Sequence, residues 1–478
     1  MVKVFWFRKD LRLEDNRALY HFINSIRPDD KYIFLYVKNK NTYKFFGQKR
    51  IAFLYESLRE LQNLLELNKY NLYIFKGNSA NCFKSIISQF GPIEVYSNRQ
   101  IEPYTIKRDI IVKKFLDSKN SDLKLYSDTT LFVPGEVLKD DKTPYTIFTP
   151  FSKKCQLLLN NSHYAVSEYN VNSLNPENNI TPSDDFDFSD EYMKLEKSPL
   201  FHGGRKKGIR LLYDFIKKGI TDYKSKRDFP DIQGTSMISP HLHFGTISIR
   251  EAYSAALNKS EKAKDKNGII TWINELLWRE FYYNITFHFP NVFKNSFKEK
   301  FDAVKWDTNT SLFIAWSEGK TGYPIVDAGM RQLKEEGWMH NRVRMITAMF
   351  LTKDLFIDWR LGEMHFAENL IDLDFSSNNG GWQWSASTGC DAQPYFRIFN
   401  PYLQSRKFDA EGNYIKKYVK ELQNVPTKYI HKPDDMTLLE QSEYGLVIGK
   451  DYPKPIAEHH IAKKYAVMQF AKISKESK

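Results

Sequence analysis

From Asp372 to Pro401 the chain runs Asp-Leu-Asp-Phe-Ser-Ser-Asn-Asn-Gly-Gly-Trp-Gln-Trp and on through Pro-Tyr-Phe-Arg-Ile-Phe-Asn-Pro. Two acids (Asp372, Asp374), two adjacent amides (Asn378, Asn379), two glycines and two tryptophans (Trp382, Trp384) share its first thirteen residues. Side-chain amides are expensive to bury unless their donors and acceptors are met. Gly380 and Gly381 admit close approach of a backbone or a flat ring. The indoles offer broad π faces for stacking or electron transfer. Together they suit a planar ligand that takes hydrogen bonds. The plainer alternative is a helix start with an Asn cap and the tryptophan pair in the core.

A second set lies on the helical pattern Thr271-Trp-Ile-Asn-Glu-Leu-Leu-Trp-Arg-Glu-Phe-Tyr-Tyr. At helical spacing Trp272, Glu275, Trp278, Arg279 and Tyr282 share one face, while Ile273, Leu276, Leu277 and Phe281 take the other. A carboxylate and a guanidinium among three aromatics resemble a cavity wall more than a solvated face; an i,i+4 ion pair of Glu275 with Arg279 is the alternative. Downstream, His340, Asn341, Arg344 and Met345 gather on one turn, and Arg342 and Arg344 can reach phosphates or Asp372 and Asp374. The run Gly234-Thr-Ser-Met-Ile-Ser-Pro-His-Leu-His-Phe-Gly245 offers hydroxyls and amides to a phosphate. His241 and His243 lack a third ligand nearby, so no metal site is expected. There is no GxSxG, no Walker loop and no CxxC, which argues against serine-hydrolase, P-loop and thiolate-metal chemistry.

The elements that must position these residues divide into two styles. Strands are expected at Val2–Phe7, Tyr32–Val37, Leu72–Phe75, Ile93–Tyr96 and Leu123–Tyr126, with helices at 16–26, 48–67, 79–90 and 104–117 between them. That alternation predicts an α/β domain with a doubly wound parallel sheet over 1–130, Rossmann-like but without GxGxxG after its first strand. Residues 131–199 read as an interdomain linker, most clearly at 167–190. An all-α domain is expected over 200–478, with helices at 205–218, 248–257, 268–288, 310–318, 324–336, 340–353, 363–370 and 456–472.

The 478 residues exceed one ordinary core. Lys and Arg number 70 against 58 acids, a net charge of +12 that favours a polyanionic partner, nucleic acid before membrane. Three scattered cysteines, no signal-like start and no long apolar run predict a reducing, cytoplasmic setting and no membrane span.

Trp6-Phe-Arg-Lys-Asp-Leu-Arg-Leu-Glu-Asp-Asn16, Gly234-Thr-Ser, Ser239-Pro-His-Leu-His-Phe-Gly245, Glu275-Leu-Leu-Trp-Arg-Glu-Phe281, Asn378-Asn-Gly-Gly-Trp-Gln-Trp384 and Pro394-Tyr-Phe-Arg-Ile-Phe-Asn-Pro401 stand in the order of the photolyase/cryptochrome family. Over nearly the full chain the sequence resembles that family, and most of all its class I cyclobutane pyrimidine dimer photolyases. The resemblance implies FAD in the helical domain, active as FADH⁻, which passes an electron under light to a flipped-out dimer and splits it. Tyr223, Thr235, Ser236, Ile238 and Ser239 would hold the FAD phosphates, with Met237 in the same run. Trp272, Glu275 and Arg279 would line the site; Arg344, Asp372 and Asp374 would surround the flavin, ribose and adenine, and Asn378 would face flavin N5. Glu275 and Asn341 would hydrogen-bond the dimer beside Trp278, Trp384 and Met345, while Arg227, Arg342, Arg397 and Gln404 would grip DNA. Trp382, Trp359 and Trp306 match the family's electron relay.

The implied partner is UV-damaged DNA carrying cyclobutane dimers, bound by a monomer in the cytoplasm at the nucleoid. Met237 stands where many relatives place Arg, and Tyr104-Thr105 replaces the Asn-Glu pair of folate-using relatives. A second, antenna chromophore is therefore expected to be an 8-hydroxydeazaflavin or another flavin before a folate, if one is carried. The rival readings are a blue-light-sensing cryptochrome, opposed by Asn378 and the lack of a long C-terminal extension; (6-4) repair, which in relatives uses paired histidines where this chain has only His340; and a flavin reductase or DNA-binding module without repair, opposed by the dimer-pocket residues.

Overall fold

The computed structural model describes residues 1–39 and 46–476. Five strands, β1 (Val2–Phe7), β2 (Lys31–Lys38), β3 (Leu72–Lys76), β4 (Ile93–Asn98) and β5 (Asp122–Tyr126), form one parallel sheet in the order β3-β2-β1-β4-β5. Helices α1 (Arg17–Ser25), α2 (Gln48–Leu67), α3 (Ser79–Phe90) and α4 (Pro103–Asp117) connect them. Every residue of β1 is buried, as a central strand covered on both faces requires, and its register sets Phe5 between Phe34 and Tyr96. Asn16 and Asn78 cap α1 and α3 by accepting from Leu19 N and Asn81 N. The order reverses between β1 and β4, which makes the carboxyl ends of those two strands the topological switch point.

The Trp6–Asn16 motif and the His-Leu-His-Phe-Gly245 motif turn out to meet. Leu11 N donates to the Phe244 carbonyl at 3.2 Å and Arg12 Nη1 to the Gly245 carbonyl at 3.0 Å. Gly245 has φ +64°, and a Cβ there would lie 2.1 Å from the Lys9 carbonyl oxygen. Arg12 and Arg250, both wholly buried, share Asp128, and Arg250 also binds Asp15. Such paired charges are costly to break singly. His241 Nδ1 lies 2.8 Å from Thr246 Oγ1, and burial pushes the ring down to about 3, so the histidine is a neutral strut. Much of the motif content at these two places holds the fold.

The segment read as a linker contains a helix, α5 (Phe148–Leu158), whose Phe148, Phe151 and Cys155 are buried. Its Asn- and Pro-rich neighbours mask an apolar face only a few residues long. After it come α6 (Arg205–Lys218), α7 (Ile249–Lys262), α8 (Asn267–His288), α9 (Pro324–Glu336), α10 (Asn341–Met349), α11 (Trp359–Asn369), α12 (Phe375–Ala386) and α13 (His459–Glu476), with shorter helices between them. Two compact units result: Met1–Thr221 with Ser236–Pro290, and Asp222–Thr235 with Asn291–Lys478.

One expected helix, 340–353, changes pitch. It is α-helical to Met349 and widens to a π turn over Phe350–Asp354, where Leu355 N bonds back to the Phe350 carbonyl. The buried Lys353 of that turn donates to the Ala386 carbonyl at 2.9 Å and lies 3.8 Å from the Phe470 ring. Apolar periodicity does not separate a π turn from the helix it continues.

Candidate functional site

In the first unit the site residues belong to α8. Leu276, Leu277 and Phe281 are buried and seat the helix, while Glu275, Trp278, Arg279 and Tyr282 are half-buried along the face the sequence predicts. Trp272 is almost wholly buried, and its indole Nε1 donates to Ser236 Oγ at 3.3 Å, which ties α8 to the Gly234–Ser239 run. In that run Ile238 is buried, Ser239 is exposed, and Met237 has φ +54°, a left-handed conformation unusual for a side chain with a Cβ. Arg279 Nη1 donates to the Thr129 carbonyl at 2.7 Å, and its guanidinium lies 4.6 Å from the Tyr283 ring. Next to it, burial pushes Glu280 up to about 7, against the backbone amides of Leu131 and Phe132 that bind its carboxylate.

Trp278 has a neighbour that sequence reasoning missed. The Phe148 ring stacks on it with centroids 3.7 Å apart and planes 7° apart. Nothing in the sequence signals this, because 130 residues separate the two and Phe148 falls in the segment read as linker.

In the second unit, Arg344 Nη2 meets both oxygens of Asp372, at 3.1 and 2.9 Å, and its Nε donates to the Met339 carbonyl. One oxygen of Asp374 is the N-cap of α12, accepting from Ser377 N at 2.8 Å. The cap is therefore an acid, and not an Asn as in the plainer alternative. The adjacent amides part company. Asn379 is buried and donates to the Val292 carbonyl and to Glu363, whereas half-buried Asn378 donates through Nδ2 to the Glu363 carbonyl at 3.1 Å. That bond orients the Asn378 amide and leaves its oxygen turned away from the tether. Burial pushes the Glu363 carboxyl up to about 7, although Asn379 donates to it. Glu363 is a second residue that spacing did not single out.

His340 is buried and caps α10 by accepting from Arg342 N at 3.2 Å; burial pushes it down to about 4. Asn341 is exposed, and its amide lies 4.0 Å from Met345 Sδ. Arg342 pairs with Asp228 at 2.8 Å and lies 4.4 Å from the Phe408 ring. Arg227 stands 5.3 Å from the ring of buried Tyr223. Arg397 is exposed and Gln404 half-buried.

Trp382 and Trp384 are two residues apart on α12, about 200° around the helix, and the first is buried while the second is half-buried against Phe399. Trp382 and Trp359 lie in one hydrophobic core, with Trp306 packed against it. Gly362 of α11 passes so close to Trp382 that a Cβ would come within 2.2 Å of the indole. Trp359 Nε1 has no hydrogen-bond partner among the described residues.

In the first unit, the Ser236 hydroxyl bound by the buried Trp272 is a group suited to a phosphate. In the second unit, the Arg344–Asp372 fork and the tethered Asn378 amide are groups suited to a ribose and to a ring that takes hydrogen bonds. No group of three or more His, Cys, Asp or Glu that could hold a metal occurs among the described residues. No helix among them is long and apolar enough to cross a membrane.

Two family patterns match the chain: the FAD binding domain of DNA photolyase over residues 272–472, and DNA photolyase over residues 3–167. A deoxyribodipyrimidine photo-lyase of Alkalihalophilus pseudofirmus is 38% identical, with 98% of each chain covered. The crystal structure of a bacterial class III photolyase from Agrobacterium tumefaciens superposes with a TM-score of 0.89 at 34% identity, covering 99% of this chain and 98% of that one. An archaeal photolyase from Sulfolobus tokodaii, solved with two FAD molecules, gives 0.82 at 32% identity over 99% of this chain and 100% of that one.

Proposed function

The chain belongs to the DNA photolyase family, and from that premise we infer that it is a deoxyribodipyrimidine photo-lyase, a flavoprotein that repairs UV-damaged DNA in the light. Its cofactor is FAD. The observation that carries the reading is on α8: a half-buried carboxylate, Glu275, one turn before a half-buried indole, Trp278, on a helix whose other side is core. That pairing offers a flipped-out pyrimidine dimer one hydrogen-bond acceptor and one flat apolar wall.

Bound as the reduced anion and excited by blue light, FAD would supply the electron that opens the cyclobutane ring. The residues of the chain bind and orient. Tyr223, Thr235, Ser236, Ile238 and Ser239, with Met237 among them, receive the phosphates. Trp272, Glu275, Arg279, Arg344, Asp372 and Asp374 line the ring, ribose and adenine. Asn378, its Nδ2 held by the Glu363 carbonyl, presents a neutral amide at the ring edge and cannot release a proton there at ordinary pH. On the substrate side, Glu275 and Asn341 hydrogen-bond the dimer, with Trp278, Trp384 and Met345 as walls. Arg227, Arg342, Arg397 and Gln404 meet the DNA backbone, which makes affinity fall with salt. Trp382, Trp359 and Trp306, gathered around one core, form the path by which electrons reach an oxidised cofactor.

We assign residues 1–130 to antenna binding, 131–199 to connection and 200–478 to FAD and DNA. In the antenna region, Arg8 is buried beside Trp6 and pairs with Asp109, while its Nε and Nη2 have no partner among the described residues. Donors at a switch point suit an anionic second chromophore of flavin or deazaflavin type. At the folate positions, the Tyr104 hydroxyl accepts from Asn39 and the Thr105 hydroxyl donates to the Glu102 carbonyl, so both are engaged with the protein. The protein acts as a monomer in the cytoplasm, at the nucleoid.

The (6-4) reading loses support because His340, the one histidine available, serves as a buried helix cap. The test is an assay of reduced protein on oligonucleotides bearing either a thymine dimer or a (6-4) product, lit and dark. Repair of the dimer in blue light alone is expected. Equal yields in light and dark would rule the enzyme reading out, and a light-induced spectral change without repair would favour a photosensor.

A further inference from the structure

The stack of Phe148 on Trp278 is unusual in its geometry. Free aromatic pairs favour offset or edge-to-face arrangements, because face-to-face rings oppose like quadrupoles. Here the planes are within 7° and the centroids only 3.7 Å apart. The packing of α5 against α8 enforces that arrangement: Phe148 also meets Phe281 edge-on at 6.0 Å, and Phe151 lies 5.3 Å from the same ring. Phe281 in turn meets Trp278 edge-on at 5.6 Å. The indole is thus held on one face by a buried ring and along an edge by another, while Trp278 as a whole stays half-buried.

We propose that Phe148 is a positioning residue for damaged DNA: it covers one face of Trp278 and so fixes the plane on which the flipped-out pyrimidine dimer stacks. The inference rests on the reading of Trp278 as a wall of the lesion pocket. An indole free to rotate about its side-chain torsions would lose rotamer freedom on binding, and that loss would weaken the complex. An indole already clamped by a neighbouring ring binds the dimer without it. The effect belongs to damaged DNA alone, because undamaged duplex presents no extruded base.

The experiment uses the full FAD-loaded chain with Phe148→Leu, Phe148→Tyr, Trp278→Leu and the double variant Phe148→Leu/Trp278→Leu. Affinity is measured for a thymine-dimer oligonucleotide and for its undamaged counterpart, with flavin absorbance and thermal midpoint recorded for each protein. Trp278→Leu should lower the preference for the dimer. Phe148→Leu should lower it about three- to tenfold, the range of one aromatic pair, with flavin content and undamaged-DNA affinity unchanged. Phe148→Tyr should restore it to within about twofold, and the double variant should be no worse than Trp278→Leu. Full preference in Phe148→Leu while Trp278→Leu loses it would overturn the positioning role, as would additive losses in the double variant. An unchanged preference in Trp278→Leu would overturn the lesion-wall reading itself. A general loss of flavin and of both DNA affinities in Phe148→Leu, unrescued by Tyr, would mean a merely structural ring.

Discussion

Helices α8 and α12 both carry site residues, and they solve opposite problems. On α8 the polar and aromatic face is seated mainly by apolar packing through Leu276, Leu277 and Phe281, with Glu280 as a buried acid beside them. On α12 the buried side carries two amides beside Trp382 and Ala386. Asn379 and Gln383, one turn apart, both donate to the Val292 carbonyl; Gln383 also donates to the Asn295 carbonyl and accepts from Phe297 N at 2.8 Å. The amides of α12 pin the 292–297 loop, and only Asn378, turned to the half-buried side, remains for a ligand. Site residues on α8 should therefore be separable from stability, and those on α12 should be entangled with it.

The largest expected effect tests the entangled side. Asn379→Leu removes the side-chain donor to the Glu363 carboxyl and one of the two donors to the Val292 carbonyl, sets an apolar group in a polar pocket, and should cost about 3 kcal/mol of stability. A thermal midpoint within a degree or so of the parent would break the contrast. On α8, Glu275→Ala should weaken binding or repair of the dimer by about thirtyfold, roughly 2 kcal/mol, with the thermal midpoint retained. Loss of fold in that variant would place α8 in the same class as α12.

A smaller effect sharpens the comparison through pH. Glu363 beside α12 and Glu280 on α8 are both raised from 4.5 to about 7 by burial. A carboxyl that holds its proton more tightly when folded lends stability that is fully present below about pH 4.5 and lost as pH rises through about 7. Glu363→Gln and Glu280→Gln should each flatten the fall in thermal midpoint between those values; an unchanged slope in both would show that neither group titrates across folding. Smallest of all, Arg397→Gln, on an exposed side chain outside both helices, should reduce the salt dependence of binding by about one unit of log–log slope for damaged and undamaged DNA alike. A change in dimer preference instead would move Arg397 into the lesion pocket.

Reading the sequence succeeded where short-range pattern and structure share a period. The five strands lie within two residues of their expected ends, and the face of α8 is the one that helical spacing picked out. It fell short where polar residues carried structure. The Asn378-Asn379 pair looked like one feature, yet helical geometry sends its members to different surroundings. Phe148 lay in a stretch too rich in Asn, Ser and Pro for its short apolar face to register. Glu363, on α11, was not singled out, because its burial comes only from α12 packing against it.

By itself the amino-acid sequence determined the alternating sheet-and-helix half, the helical half, the basic charge and the order of motifs that marks the family. Those are properties of local periodicity, composition and residue identity, which survive without knowledge of contacts. Tertiary structure alone decided which amide is tethered and which is core, which acid is raised toward neutrality, and which ring clamps Trp278. Each of those depends on the dielectric and the partners that distant segments bring, and neither is written in the spacing of neighbours along the chain.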